Sequence, residues 1–80
     1  NNILINFFMS KGLTHQQSII SILLSQKISE DIICDILSIS PLTLETHIRN
    51  ILKRMNINSK HELIYIIRQN NKTIMPYDNK

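Results

Sequence analysis

The sequence predicts an all-α fold of four helices, with no strand and no wing, on three observations. Four separate stretches repeat apolar residues at three- and four-residue spacing, the period of a helix with one buried face. Each of the four opens on a residue suited to capping a helix start. Glycine occurs once in 80 residues, so the tight turns that hairpins require have no supply. The 17 isoleucines favour sheets by propensity, but alternation with period two is absent and the four caps outweigh it.

Taken in order, the chain begins with an apolar stretch, Ile3 to Met9, broken by Asn6 and lacking the basic lead of a targeting segment. It is expected to pack on the domain or on a neighbour, and residues 1–12 read as a linker or the remnant of a preceding domain. Gly12 separates this stretch from the first clear helix. There Thr14 stands three residues before Gln17, the reciprocal capping-box spacing. Ile19, Ile20, Ile22, Leu23 and Leu24 carry that helix to about Gln26. Ser29 caps the second, with Glu30 and Asp31 at the positive end of its dipole. Ile32, Ile33, Ile36 and Leu37 are expected to face inward. Ser38-Ile39-Ser40 interrupts, Ser40 caps again, and Pro41 takes the first helical position, where its missing N–H costs nothing.

The third helix has the cleanest pattern. Leu44, Ile48, Ile51, Leu52 and Met55 make one narrow stripe, and the other side carries Thr43, Glu45, Thr46, Arg49, Asn50, Lys53 and Arg54. Asn56-Ile57-Asn58 closes it. Ser59 and Glu62 have capping-box spacing, and Leu63, Ile64, Ile66 and Ile67 give the last helix its apolar face. The folded unit is expected over 13–70. Residues 71–80 read as a frayed tail, with Pro76 excluding further helix.

Bulk properties exclude most other classes. Eighty residues make one domain that leaves roughly 40% of its unfolded surface exposed, too little for the deep cleft of an elaborate enzyme. No nucleophile–base pair and no phosphate-cradling glycine loop is present, so no catalytic activity, cofactor or small-molecule ligand is expected. His15, His47 and His61 are too scattered for a metal site. Cys34 is alone and reads as a small buried hydrophobe rather than a sensor thiol, which fits a reducing, cytoplasmic setting. No apolar run approaches the ~20 residues of a membrane span. Net charge is +3, divided as −1 over residues 1–40 and +4 over 41–80. A basic second half suits a polyanion, although a solvated face would have the same balance.

A short second helix, a three-residue break and a longer basic third helix form the arrangement of a helix-turn-helix, whose second helix enters the major groove. Such a helix needs one stripe anchored to the domain and an opposite face of donors that reach phosphates and base edges. Arg49, Lys53 and Arg54 supply charge there, with Thr43, Thr46, His47 and Asn50 as polar contacts.

At these residues the chain resembles the LuxR-type (NarL/FixJ, GerE-like) DNA-binding domain. Leu13-Thr14 is similar to the Leu-Thr that opens such domains. Ile39-Ser40-Pro41-Leu42-Thr43-Leu44 resembles the family's entry to the recognition helix. His47, Asn50, Ile51, Arg54 and Met55 match its continuation, with Arg for Lys and Met for Leu, and Ser59-Lys60-His61-Glu62-Leu63-Ile64 is similar to its last-helix start. The matches keep register without a gap from residue 13 to 64, and their joint spacing is far more specific than any one motif. The resemblance implies that Glu45, Thr46 and Arg49 present side chains to base edges. It implies that Thr43, His47, Asn50, Lys53 and Arg54 contact the DNA backbone or position the helix, and the cation Lys60 and the capping residue Ser40 are expected to contact the backbone beside them. It places a weak homodimer contact on the last helix, at His61, Tyr65, Ile66 and Arg68.

The departures are Gln16 and Gln17 in place of an Arg-Glu pair, Lys27 in place of a glycine, and Glu45 where a basic residue is usual. Glu45 has two readings, a helix-stabilising charge one turn before Arg49 or an acceptor for cytosine N4. His47 is either a phosphate donor or a packing residue at the core edge, and Tyr65 is either plain surface or dimer contact. The sequence therefore predicts a sequence-specific double-stranded-DNA-binding domain of a bacterial-type transcription regulator, with a recognition helix over about 41–55. Such a domain normally follows a sensory or receiver domain, as in a response regulator. The rival readings are a sigma-factor-like promoter-recognition domain and a degenerate helix-turn-helix that binds another protein.

Overall fold

The computed structural model describes residues 2–74, and they form five helices: α1 (Asn2–Ser10), α2 (His15–Ser25), α3 (Glu30–Leu37), α4 (Pro41–Met55) and α5 (Lys60–Ile74). The four expected helices are α2 to α5. The fifth, α1, adds one to the expected four and occupies most of residues 1–12, the segment expected as a linker or the remnant of a preceding domain. Its cause is the spacing of Leu4 and Phe8, one turn apart, which puts both on one face and fully into the core. Gly12 then turns the chain at φ +97°, a region where a Cβ is strained. A Cβ there would also stand 3.2 Å from the Arg54 guanidinium.

Helix α2 is the centre of the assembly and packs on all four others. Its capping box is formed as expected, Thr14 Oγ1 accepting from the Gln17 amide and the Gln17 side chain accepting from the Thr14 amide. The close approach of several helices is possible because α2 turns two serines inward. Ser18 and Ser21 are fully buried, and each hydroxyl donates back to a carbonyl four residues earlier, Thr14 O and Gln17 O, at 2.9 Å. A satisfied hydroxyl of this kind can be buried without the cost of a lost hydrogen bond. Around it the core gathers Leu13, Ile20, Leu24, Ile33, Leu44, Ile48, Ile51, Leu63 and Ile67.

Helix α3 departs from expectation. Ile33 and Cys34 are buried and Leu37 is half-buried, but Ile32 and Ile36 are 52% and 55% exposed. At 100° per residue these four positions span an arc of roughly 140°, which one buried face could hold, and the packing of α3 selects instead the arc of Ile33, Cys34 and Leu37. The pair 33/37 faces the core, with Cys34 on its flank, and the pair 32/36 is turned out. Burial and the neighbouring Asp31, Asp35 and Glu30 carboxylates hold the Cys34 thiol above its ordinary pKa.

Helix α5 starts with a shifted capping box: Ser59 Oγ accepts from the Glu62 amide, while the Glu62 carboxylate accepts from Asn58, one residue before the expected Ser59 amide. It continues to Ile74 rather than ending near 70, because nothing in Asn71-Lys72-Thr73 breaks a helix. Residues 75–80, with Pro76, lie outside the described residues.

Candidate nucleic-acid interface

The turn that aims α4 is built from local hydrogen bonds. α3 ends on Ser38 in the left-handed conformation, and the Ile39 amide returns to Cys34 O at 3.0 Å. Ser40 then caps α4, accepting from the Thr43 amide at 3.1 Å and donating to Thr43 Oγ1 at 3.0 Å, with Pro41 as the first helical residue. Three residues thus separate α3 from α4, as a helix-turn-helix requires. Leu44, Ile48 and Ile51 anchor α4 to the core, with Leu52 and Met55 half-buried beside them. α4 ends on Asn56 in the left-handed conformation, with Lys53 and Arg54 in its last turn.

Opposite that anchor, the rotation of 100° per residue groups the expected DNA-facing residues into three strips. Thr46, Arg49, Asn50 and Lys53 lie on the outermost side with Leu42, all exposed. Glu45 lies on one flank, and His47 and Arg54 lie on the other. The Thr46 hydroxyl donates to Leu42 O at 3.0 Å, so toward a base it offers lone pairs and a methyl group. The Ser40 and Thr43 hydroxyls are engaged with one another. Arg54 is turned toward Gly12 and, with Phe7, Lys11, Met55 and Ile66, lines a cleft of about 270 Å³. His47 is half-buried, which suits a contact at the edge of the core.

Glu45 opens onto a larger cleft of about 630 Å³, shared with Glu30, Ile48, Arg49, Leu52, Ser59, Lys60 and His61. Among the described residues no ion pair joins Glu45 to Arg49, and the pair present is Lys60 with Glu30. That pair ties the N-terminal ends of α3 and α5 together, and both side chains stay about half exposed. The sequence does not signal it, because its members are 30 residues apart.

On α5, His61, Tyr65 and Arg68 share one exposed face. Ile66 is half-buried and lies a third of a turn away. Ile57, His61, Glu62, Tyr65 and Ile66 line a shallow, mainly apolar cleft of about 390 Å³. Among the described residues no group of three or more His, Cys, Asp or Glu is placed to hold a metal. No helix there is long and apolar enough to cross a membrane.

Comparison with curated proteins and with solved structures returned no match. The family model of bacterial regulatory proteins, luxR family, matches residues 11–67, which is well over half of the chain and contains the whole of α2, α3 and α4. The matched region holds the capped α3–turn–α4 unit with its polar outer face, and the chain belongs to the LuxR family of bacterial regulatory proteins, the group with DNA-binding helix-turn-helix domains.

Proposed function

We propose that this chain is a sequence-specific double-stranded-DNA-binding domain of a bacterial-type transcription regulator, with α4 as its recognition helix in the major groove. The observation that carries the reading is the two-sidedness of α4. Leu44, Ile48 and Ile51 hold it to the core, while Thr46, Arg49, Asn50 and Lys53 are exposed together on the far side. Arg49 and Thr46 read base edges, with Glu45 at the flank. Lys53 neutralises phosphate, and Arg54, Lys60 and the polar residues Ser40, Thr43, His47 and Asn50 contact or position the backbone. Two chains pair weakly through His61, Tyr65, Ile66 and Arg68 of α5 and address two half-sites about one helical turn apart. The setting is the cytoplasm, downstream of a receiver or sensory region.

Titration of random duplex DNA at several salt concentrations tests the core of this reading. Affinity is expected to fall steeply and linearly on logarithmic axes, with a slope set by the number of phosphates neutralised. Absence of binding at low salt would overturn it and leave a helix-turn-helix kept for a protein partner. Sedimentation on a palindromic duplex tests the pairing, and one chain per duplex at saturation would defeat it.

A further inference from the structure

The outer face of α3 is not used by the core or by the proposed DNA surface, yet it has a distinct chemical character. Ile32 and Ile36, four residues apart, are neighbours on the helix surface, and each is more than half exposed. Asp35 adjoins Ile32 at three-residue spacing, and Asp31 lies one turn before Asp35. Both carboxylates are exposed, and neither is in an ion pair among the described residues. A β-branched residue on the solvent side of a helix adds nothing to helix propensity. Two of them side by side make a small apolar patch, below the few hundred Å² at which size alone marks a contact surface, so the charges beside it carry the argument.

We propose that this face is a docking surface for a second protein that presents aliphatic side chains beside Lys or Arg. Charge complementarity selects the partner: Asp31 and Asp35 repel phosphates, which disfavours nucleic acid, and they attract a cationic rim around an apolar centre. The size of the patch selects the kind of contact. A stable interface buries roughly 800 Å² on each partner, and two half-exposed isoleucines cover a small part of that. The contact is therefore brief, and it becomes effective when both proteins are held close together, which raises the local concentration of one for the other.

The test uses the full chain, labelled with nitrogen-15, and two synthetic helical peptides of equal length, one of leucine and lysine and one of leucine and glutamate. The leucine–lysine peptide is expected to shift amide signals of residues 30–38 saturably. Binding should weaken at least fivefold in Ile32→Gln/Ile36→Gln and, separately, in Asp31→Asn/Asp35→Asn. The leucine–glutamate peptide should leave α3 unmoved. All four substitutions are at exposed positions, and circular dichroism of each variant checks that the helices persist. Shifts centred on α5, or equal binding by the Ile32→Gln/Ile36→Gln chain, would overturn the proposal, as would the lack of any saturable shift. Self-association in sedimentation that Ile32→Gln/Ile36→Gln abolishes would mean that a second copy covers the face, and would overturn it too. Duplex binding is measured in parallel and should change less than twofold in the isoleucine variant; a larger loss would assign the face to DNA. Failure of the unaltered chain to bind DNA would sink the DNA reading while leaving the peptide result to decide this one.

Discussion

Lys27, one residue past the Gln26 cap of α2, adopts φ +62°, the left-handed conformation in which a side chain with a Cβ is strained. Ser38 and Asn56 do the same after α3 and α4, and asparagine tolerates it through local hydrogen bonding, but lysine has no such compensation. The family resemblance places a glycine at 27, and the backbone gives the reason. Lys27→Gly is expected to stabilise the fold by about 0.5–1 kcal/mol, the relief of strain less the entropy that glycine adds to the unfolded chain. Urea denaturation reads the change as a higher midpoint with the same slope, and a lower midpoint would contradict it. Glu45 is a second residue at odds with the family pattern. Its carboxylate makes no ion pair with Arg49 among the described residues, and it stands exposed at the mouth of a cleft it shares with Lys60. Glu45→Lys is expected to raise affinity for every duplex and to steepen the salt dependence by about one contact. If instead the best site loses affinity while random DNA gains, Glu45 is a base reader that rejects wrong sequences.

At the scale of the element, α4 is positioned by a cap at its start and divided by role along its length. Ser40 both accepts from the Thr43 amide and donates to the Thr43 hydroxyl. Ser40→Ala is expected to cost about 1 kcal/mol, measured by thermal or urea unfolding, and Ser40→Asp should recover most of it by capping through a carboxylate. Equal stability of all three chains would show that Pro41 and tertiary packing hold the helix start unaided. Further along, Lys53→Ala should weaken binding to all sequences alike and lower the salt slope by about one. Arg49→Ala should flatten preference at one or two base pairs, costing roughly 1–3 kcal/mol on the best site. Competition binding against a panel of single-base variants separates the two, and equal relaxation at the same base pair would refute the division of roles. The caps of α2, α3 and α4 were legible in the sequence because they depend on residues three apart. The orientation of α3 was not, since four apolar residues in eight satisfy more than one inward face.

At the scale of the whole molecule, α1 lies outside the residues matched by the family and still supplies Leu4 and Phe8 to the common core. It packs on α2 and α5, so it braces the helix proposed to pair on DNA. Phe8→Ala is expected to destabilise the chain by roughly 3–5 kcal/mol, the usual cost of emptying a buried aromatic site. A fall of the melting temperature by more than about 10 °C is the readout, because 1 kcal/mol shifts a domain of this size by roughly 4–8 °C. An unchanged melting temperature would mean that residues 11–74 fold independently of α1. Four helices, the three-residue turn, the buried stripe of α4 and the basic character of the second half were determined by the sequence itself. Each depends on spacings within one turn or on a charge count, and local geometry converts both directly into structure. Contacts between segments distant in the chain were set by packing alone. These are the inward turn of Ser18 and Ser21, the pairing of Lys60 with Glu30, Arg54 lying over Gly12, and the exposure of Ile32 and Ile36. A helix has several faces that its own residues could bury, and the surface against which it is packed selects one of them.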